Sequence, residues 1–432
     1  MKTLELKNTI LAGGIDDTLT NGLSVNPANV PAQRERYAKA VDEFEKLYGD
    51  GDISLFSVGG RSEISGNHTD HNHGRVIAAS VNLDILAAAK KTDDGVIRIK
   101  SEGFPEDVVA PEAANAPDES KFFTSAAIIA GMERAFLDAG YQVGGFDAYT
   151  TSNVLKGSGI SSSAAFEVMV GNILNYLYND GKVSNVEIAK MSQFAENKFF
   201  GKPCGLMDQT ACAVGGFITI DFADPTSPVI EKMDFDLTSA GYALCIVNTG
   251  GNHADLNEDY ASVPAEMKAV AAKLGVPVLR DTCKCALDQL LSENGAAVRE
   301  ELGDRAIMRA YHFFAENERV GKQVDALRAG DVEGFKAGVT ASGNSSFKFL
   351  QNVYTTKNVS EQGLSLALCI TEDFLKGTAG VCRVHGGGFA GTIQAFVPVE
   401  LTEKYAEKIN SVFGQGACHI LSVRKNGACK II

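Results

Sequence analysis

The spacing of apolar positions changes several times along the chain. Residues 34–48, RERYAKAVDEFEKLY, bring apolar side chains round at helical period, and ISLFSV (53–58) reads as a strand. RVIAASVNLDILAAAKK (75–91) and VIRIK (96–100) read as further strands. The stretch 104–121, rich in Pro, Ala and acids, is expected at the surface. A helix is predicted over 123–139 and an extended segment over 146–152. A glycine-serine turn from 154 then runs into an apolar helix ending near 178. Ser184, with Glu187 three residues on, forms a capping box for a helix reaching about Phe200. The turn-rich ADPTSPV (223–229) marks the expected domain boundary, giving units 1–225 and 226–432. YALCIVN (242–248) reads as a strand, helical patterns follow to about 376, and 380–399 reads as strand, glycine loop, strand. A last helix and the strand 419–425 close the pattern, and there is no internal repeat. This mixture implies an α+β protein of two domains.

Composition narrows the function classes. With 432 residues the chain exceeds one simple core. With 45% hydrophobic and 22% charged residues it reads as a globular protein. A net charge of −14 argues against nucleic-acid partners. It does not argue against nucleotides, because glycine loops and helix N-termini bind anions through backbone N–H groups. The nine cysteines include no CxxC, and Cys283 and Cys285 are the nearest pair. They predict no disulfide scaffold and a reducing compartment, and those outside the motifs are expected to be buried. The N-terminus lacks a signal-peptide core and no apolar run reaches membrane-spanning length, so a cytoplasmic protein without a membrane partner is expected. The Phe-rich segments are read as core, and a monomer or weak oligomer is expected.

Four stretches carry candidate chemistry. KGSGISSSAAF (156–166) offers two glycines, three serines and the start of an apolar helix, the physics of a phosphate cradle without a Walker A pattern. A serine-capped turn would look the same. GGGFAG (386–391) matches the dinucleotide pattern, but a β-like run follows it instead of a helix, so a loop between strands fits better. GLMDQ (205–209) places Asp208 in an apolar run, as a helix charge or as a functional group. GNHTDHNHG (66–74) gathers three histidines and an aspartate. Its spacing matches no zinc motif, and polar side chains on a loop after a strand equally suit sugar hydroxyls.

Taken in order, GRSEISGNHTDHNHG, KGSGISSSAA, GKPCGLMDQ and HGGGFAG resemble the GHMP kinases, and galactokinases in particular, over nearly the whole chain. The resemblance implies two α+β domains, the first similar to domain 2 of ribosomal protein S5, with the active site between them. It implies transfer of the ATP γ-phosphoryl to the anomeric hydroxyl of a sugar, with Mg²⁺. The family's catalytic aspartate falls on Asp208 and the first-motif arginine on Arg61. Sugar contacts fall on Asn67, His68, Asp70, Gly205 and Tyr260. Nucleotide contacts fall on Lys156, Gly157, Gly159, Ser161, Ser162, Ser163, Gly387 and Gly388. Metal ligands fall on Ser162 and on Glu196, twelve residues before Asp208.

Departures from the pattern leave the sugar open. The family asparagine after the arginine is Glu63, the glutamate of GEHTD is Asn67, and the next tyrosine is His71. Ala390 and Thr392 replace a glycine and a cysteine at the glycine loop. An uncharged Asn67 would tolerate a carboxylate on the sugar, which makes galacturonate a rival to galactose. Galacturonate kinases also lose that glutamate and carry DH after the His. A catalytically silent galactose and ATP sensor is a rival of another class, although Ser162, Ser163, Ala164 and Ala165 are all present.

Overall fold

The computed structural model describes residues 1–154, 159–251 and 256–432. Its larger sheet has eight strands: β1 (Ser54–Ser65), β2 (Arg75–Lys91), β3 (Ile97–Ser101), β4 (Glu106–Val109), β5 (Phe146–Ser152), β6 (Phe217–Asp221), β7 (Val229–Met233) and a C-terminal strand. The smaller sheet holds β8 (Tyr242–Asn248), β9 (Val381–Val384), β10 (Thr392–Pro398) and β11 (Cys418–Leu421), in the order β11-β8-β10-β9. β12 (Cys429–Lys430) returns to pair with β1 in the larger sheet.

β2 organises the larger sheet. It pairs with β1 along most of its length, with β6 through residues 75–79 and with β5 through 85–91. Its apolar run is nearly continuous because both faces are covered. Leu86 and Ala88 join Leu55 and Tyr149 under the N-terminal helices Thr3–Leu11 and Val30–Tyr48. Ala87 and Ala89 face the other way, with Phe56, Phe146 and Ala148, onto the helices Ser125–Asp138 and Ser162–Tyr178. The period of two along each strand therefore sorts side chains into two cores. The second core continues into Leu244, Phe335, Val339 and Phe396, so apolar packing joins the two sheets.

Several expectations shift. Residues 229–233, beyond the expected boundary at 225, form the unpredicted strand β7, which makes an antiparallel hairpin with β6 in the larger sheet. The helix from Ser184 keeps its capping box but ends at Phe194, and a π-turn carries the chain over Ala195–Phe200. The expected strand 419–425 ends at Leu421, where the chain crosses over to bridge Val423 with Val81. Cys283 and Cys285, with Cα atoms 5.2 Å apart, are bridged by a disulfide at the N-terminus of the helix Lys284–Leu302. Cys369 is exposed rather than buried. Phe123 is not core either, being 68% exposed. Among the described residues, no helix is long and apolar enough to cross a membrane.

Candidate active site

β1 delivers Arg61 to the middle of the molecule, where the side chain is almost wholly buried. Its partner stands on the short helix Met207–Val214, whose first turn carries Asp208. The pair is bidentate: Arg61 Nε donates to Oδ1 and Nη2 to Oδ2, both at 2.7 Å. Such a fork fixes the carboxylate's plane as well as its charge. The Ser161 hydroxyl also donates to Asp208, and Arg61 Nη1 donates to the Gly159 carbonyl. The aspartate, the arginine and the glycine-serine loop therefore meet at one point. Burial alone would raise the Asp208 carboxyl, but the Arg61 charge and these hydrogen bonds hold it below the usual range.

The glycine-serine loop leads into the helix Ser162–Tyr178. Ser161, just before it, adopts a left-handed φ of 54°. Ser162 opens the helix, and Ser163 is exposed on its first turn. Gly159, at φ 72°, lies so close to the His385 ring that a Cβ would sit 3.2 Å from Nδ1. Lys156 and Gly157 lie outside the described residues.

Glu196 sits on the π-turn, buried, with Lys202 Nζ 3.1 Å away. Gln209 Nε2 donates to Glu196 at 2.7 Å and to Glu167 at 3.0 Å. One amide thus draws two carboxylates together, and burial with the Glu196 charge pushes the Glu167 carboxyl well up. Sequence reasoning missed Gln209 and Glu167, although Gln209 ends the MDQ motif and Glu167 interrupts an apolar helix face.

The rest of the first motif and the glycine loop make a second group of contacts. The loop joins β9 to β10, as expected for a loop between strands. Its Gly387 carbonyl faces His68 Nε2 at 2.9 Å, and its Gly388 carbonyl accepts from the Tyr260 hydroxyl at 2.8 Å. Tyr260 stands on the helix Asn257–Lys273 with its ring edge-on to Phe389. Asp70 lies in a short turn, and a Cβ on Gly205 would meet its Oδ2 at 3.1 Å. The structure therefore brings Asp70 and Gly205 together, and separately His68, Gly387, Gly388 and Tyr260. His71 is exposed, with its ring centroid 6.3 Å from that of His68 and its Nε2 3.8 Å from Asp70. Asn67 is buried, with its amide bonded on all sides by protein groups. His68, Ser161 and Phe389 all hold positive φ, so left-handed non-glycine backbone gathers at this site.

The chain is similar to several proteins of known function. The pattern of the GHMP kinases N terminal domain matches residues 125–216, and a galactokinase galactose-binding signature matches 42–91. The chain is 31% identical over 378 residues to the galactokinase of Streptomyces coelicolor, covering 86% of this chain and 92% of that protein. It is 28% identical over 388 residues to the galactokinase of Clostridium tetani, covering 86% and 91%. Its fold matches the Lactococcus lactis galactokinase, solved with galactose, at a TM-score of 0.73 and 22% identity, over 90% of this chain and 98% of that one. The Methanococcus jannaschii mevalonate kinase shares the fold at a TM-score of 0.61 and 15% identity, covering 87% and 99%. The chain belongs to the galactokinase family of the GHMP kinases.

Proposed function

We propose that the protein transfers the γ-phosphoryl group of ATP to the anomeric hydroxyl of galactose. The observation that carries this reading is the Asp208 carboxylate, clamped by Arg61 and touched by Ser161 where the glycine-serine loop opens its helix. Phosphoryl transfer asks for positioning and charge neutralisation more than covalent chemistry. Asp208 stays ionised and accepts the proton of the attacking hydroxyl. Arg61 holds that carboxylate in place and faces the charge that develops on the transferring group. His68, Asp70, Gly205 and Tyr260 line the sugar side. Gly159, Ser161, Ser162, Ser163, Gly387 and Gly388 are assigned to the nucleotide side, together with Lys156 and Gly157. The two functional halves are assigned to 1–225 and 226–432, with β7 of the second half completing the larger sheet.

Ser162 and Glu196 would hold Mg²⁺. The fit is chemical: a hydroxyl and buried carboxylates are oxygen donors, the set this cation takes. Glu167 Oε1, close by, is buried without a hydrogen-bond partner among the described residues. When bound, the ion neutralises phosphate charge.

The test is ADP formation with ATP and Mg²⁺ against galactose, galacturonate, N-acetylgalactosamine and arabinose. Galactose is expected to dominate. Asp208→Asn is expected to lose about 10²- to 10⁴-fold in kcat while still binding galactose by calorimetry. Full activity in that variant would remove Asp208 from the chemistry. No ADP with any sugar, despite galactose binding, would make the protein a sensor.

A further inference from the structure

Asn67 has nothing left to offer a ligand. Its Nδ2 donates to Glu63 Oε1 at 2.9 Å and to the Gly386 carbonyl at 2.7 Å. Its Oδ1 accepts from Asn352 Nδ2 at 2.8 Å and from the Ser346 hydroxyl at 3.2 Å. A primary amide carries two N–H groups and two lone pairs, so all four are spent. Its backbone carbonyl faces His312 Nε2 at 2.9 Å, and the residue is 0% exposed.

Three successive carbonyls of the same loop take four such bonds. Gly386 accepts from Asn67, Gly387 from His68 and from Asn352 at 3.1 Å, and Gly388 from Tyr260. A carbonyl only accepts, so His68 must carry its proton on Nε2. Burial keeps this ring neutral, with its pKa lowered to about 4, and Nδ1 is left as an acceptor. The Tyr260 proton is likewise committed to Gly388. Asp70 adds a carboxylate. Behind them, Glu63 stands 3.4 Å from the fully buried Arg383 guanidinium, which offsets its charge.

We infer that Asn67 is a positioning residue and not a sugar ligand: held by Glu63, it clamps the glycine loop, and the loop orients His68 so that the cleft meets the sugar with acceptors. The inference rests on the galactose reading above. Such a cleft reads hydroxyls, which donate. A sugar carboxylate would meet acceptors, and both Asn67 N–H groups that could have received it are engaged elsewhere. The exchange of amide and carboxylate between positions 63 and 67 thus builds a clamp and argues against the uronate.

Three proteins test this: the wild type, Asn67→Asp, and Glu63→Gln/Asn67→Asp. Asn67→Asp loses both donors at nearly constant shape. It is expected to raise KM for galactose about tenfold or more, with kcat changing less, and to melt earlier. The double variant restores one amide and one carboxylate, so its thermal stability recovers. It still has no donor for the Gly386 carbonyl, so its KM stays high. A merely structural pair would recover both together, and that result overturns the clamp, as does an unchanged KM in Asn67→Asp. If the single variant does not fold, the double variant decides alone. The wild type is expected to favour galactose over galacturonate by on the order of 100-fold or more in kcat/KM; the reverse preference overturns the acceptor cleft. Galactose binding by calorimetry separates the failures. A wild type that neither binds nor phosphorylates galactose removes the galactose reading and this inference with it. Equal binding by wild type and Asn67→Asp removes the clamp alone.

Discussion

Two buried regions of this molecule are built on opposite principles. Around β1, β2 and β5, Leu55, Leu86 and Tyr149 pack on one face and Phe56, Ala87 and Ala148 on the other. That region is held by apolar area, which has no direction. Between the first motif and the helices Asp304–Arg328 and Val332–Ser345 lies a seam that is equally buried and almost wholly polar. Asn67, His312, Glu316 and Arg383 are all 0% exposed there. Glu316 accepts from the Gly66 N–H at 3.0 Å and the Ser65 hydroxyl at 3.4 Å, and pairs with Arg319. The sheet region can relax around a lost methyl group. The seam cannot, because each group removed leaves a desolvated partner behind. The seam also carries the backbone of the sugar-side loop, so geometry there is transmitted to the site.

Matched truncations test that contrast. Phe56→Ala in the sheet is expected to cost about 3–5 kcal/mol, as a large core truncation does. Glu316→Ala in the seam is expected to cost about as much, roughly 3–5 kcal/mol, by leaving Arg319 unpaired. Urea unfolding measures both. Steady-state kinetics on the folded fraction should then part them: Phe56→Ala keeps its galactose KM, and Glu316→Ala raises it, because Gly66 loses its anchor one residue from Asn67. Equal KM values would mean that the seam is only another core.

Acid should act on the seam before the sheet. Burial lowers the His312 pKa to about 3, with Arg319 and Arg383 adding to the effect. Unfolded, this histidine binds a proton below about pH 6.5; folded, it does not until about pH 3. The stability tied to the neutral ring is therefore complete above pH 6.5 and falls as pH drops toward 3. At pH 5 the loss is about 2 kcal/mol from this group alone. His385, also lowered to about 3, adds in the same direction. Urea midpoints at pH 7.5 and 5 should differ accordingly. His312→Gln should narrow the gap; an unchanged gap would place the acid sensitivity elsewhere.

The contrast also explains what could be read from the sequence. The helix read over 34–48, the strands β2, β5 and β8 and the loop between β9 and β10 followed from apolar period and turn residues, because area is written locally. The Ser184 capping box is local too, and it formed. The Arg61–Asp208 pair spans 147 positions and came only through family resemblance. Asn67 was legible as a departure from the pattern, but its four partners lie as far off as Asn352 and Gly386. Nothing within a window of residues announces a bond across 319 positions. Exposed Phe123 was misread for the opposite reason: hydrophobicity gives the side chain's character and not the backbone twist that turns it outward.

That twist sets the smallest effect. Phe123 holds a φ of 64°, which a bulky residue adopts only at a cost of about 1–2 kcal/mol. Its N–H donates to the Phe200 carbonyl at 3.1 Å, and its ring stands edge-on to Phe200 at 5.5 Å. Phe200 adjoins Gly201 and Lys202, and Lys202 pairs with Glu196 on the nucleotide side. A strained, exposed aromatic at that place gains nothing for the core. Phe123→Asn keeps a residue that tolerates left-handed backbone, and the strain it relieves offsets the ring contacts it loses. Stability should therefore move by less than about 1 kcal/mol. If the ring serves as a face for the nucleotide, KM for ATP rises several-fold while KM for galactose stays put. An unchanged ATP KM would leave the strain without a function and would mark Phe123 as an exposed aromatic of no consequence to either substrate.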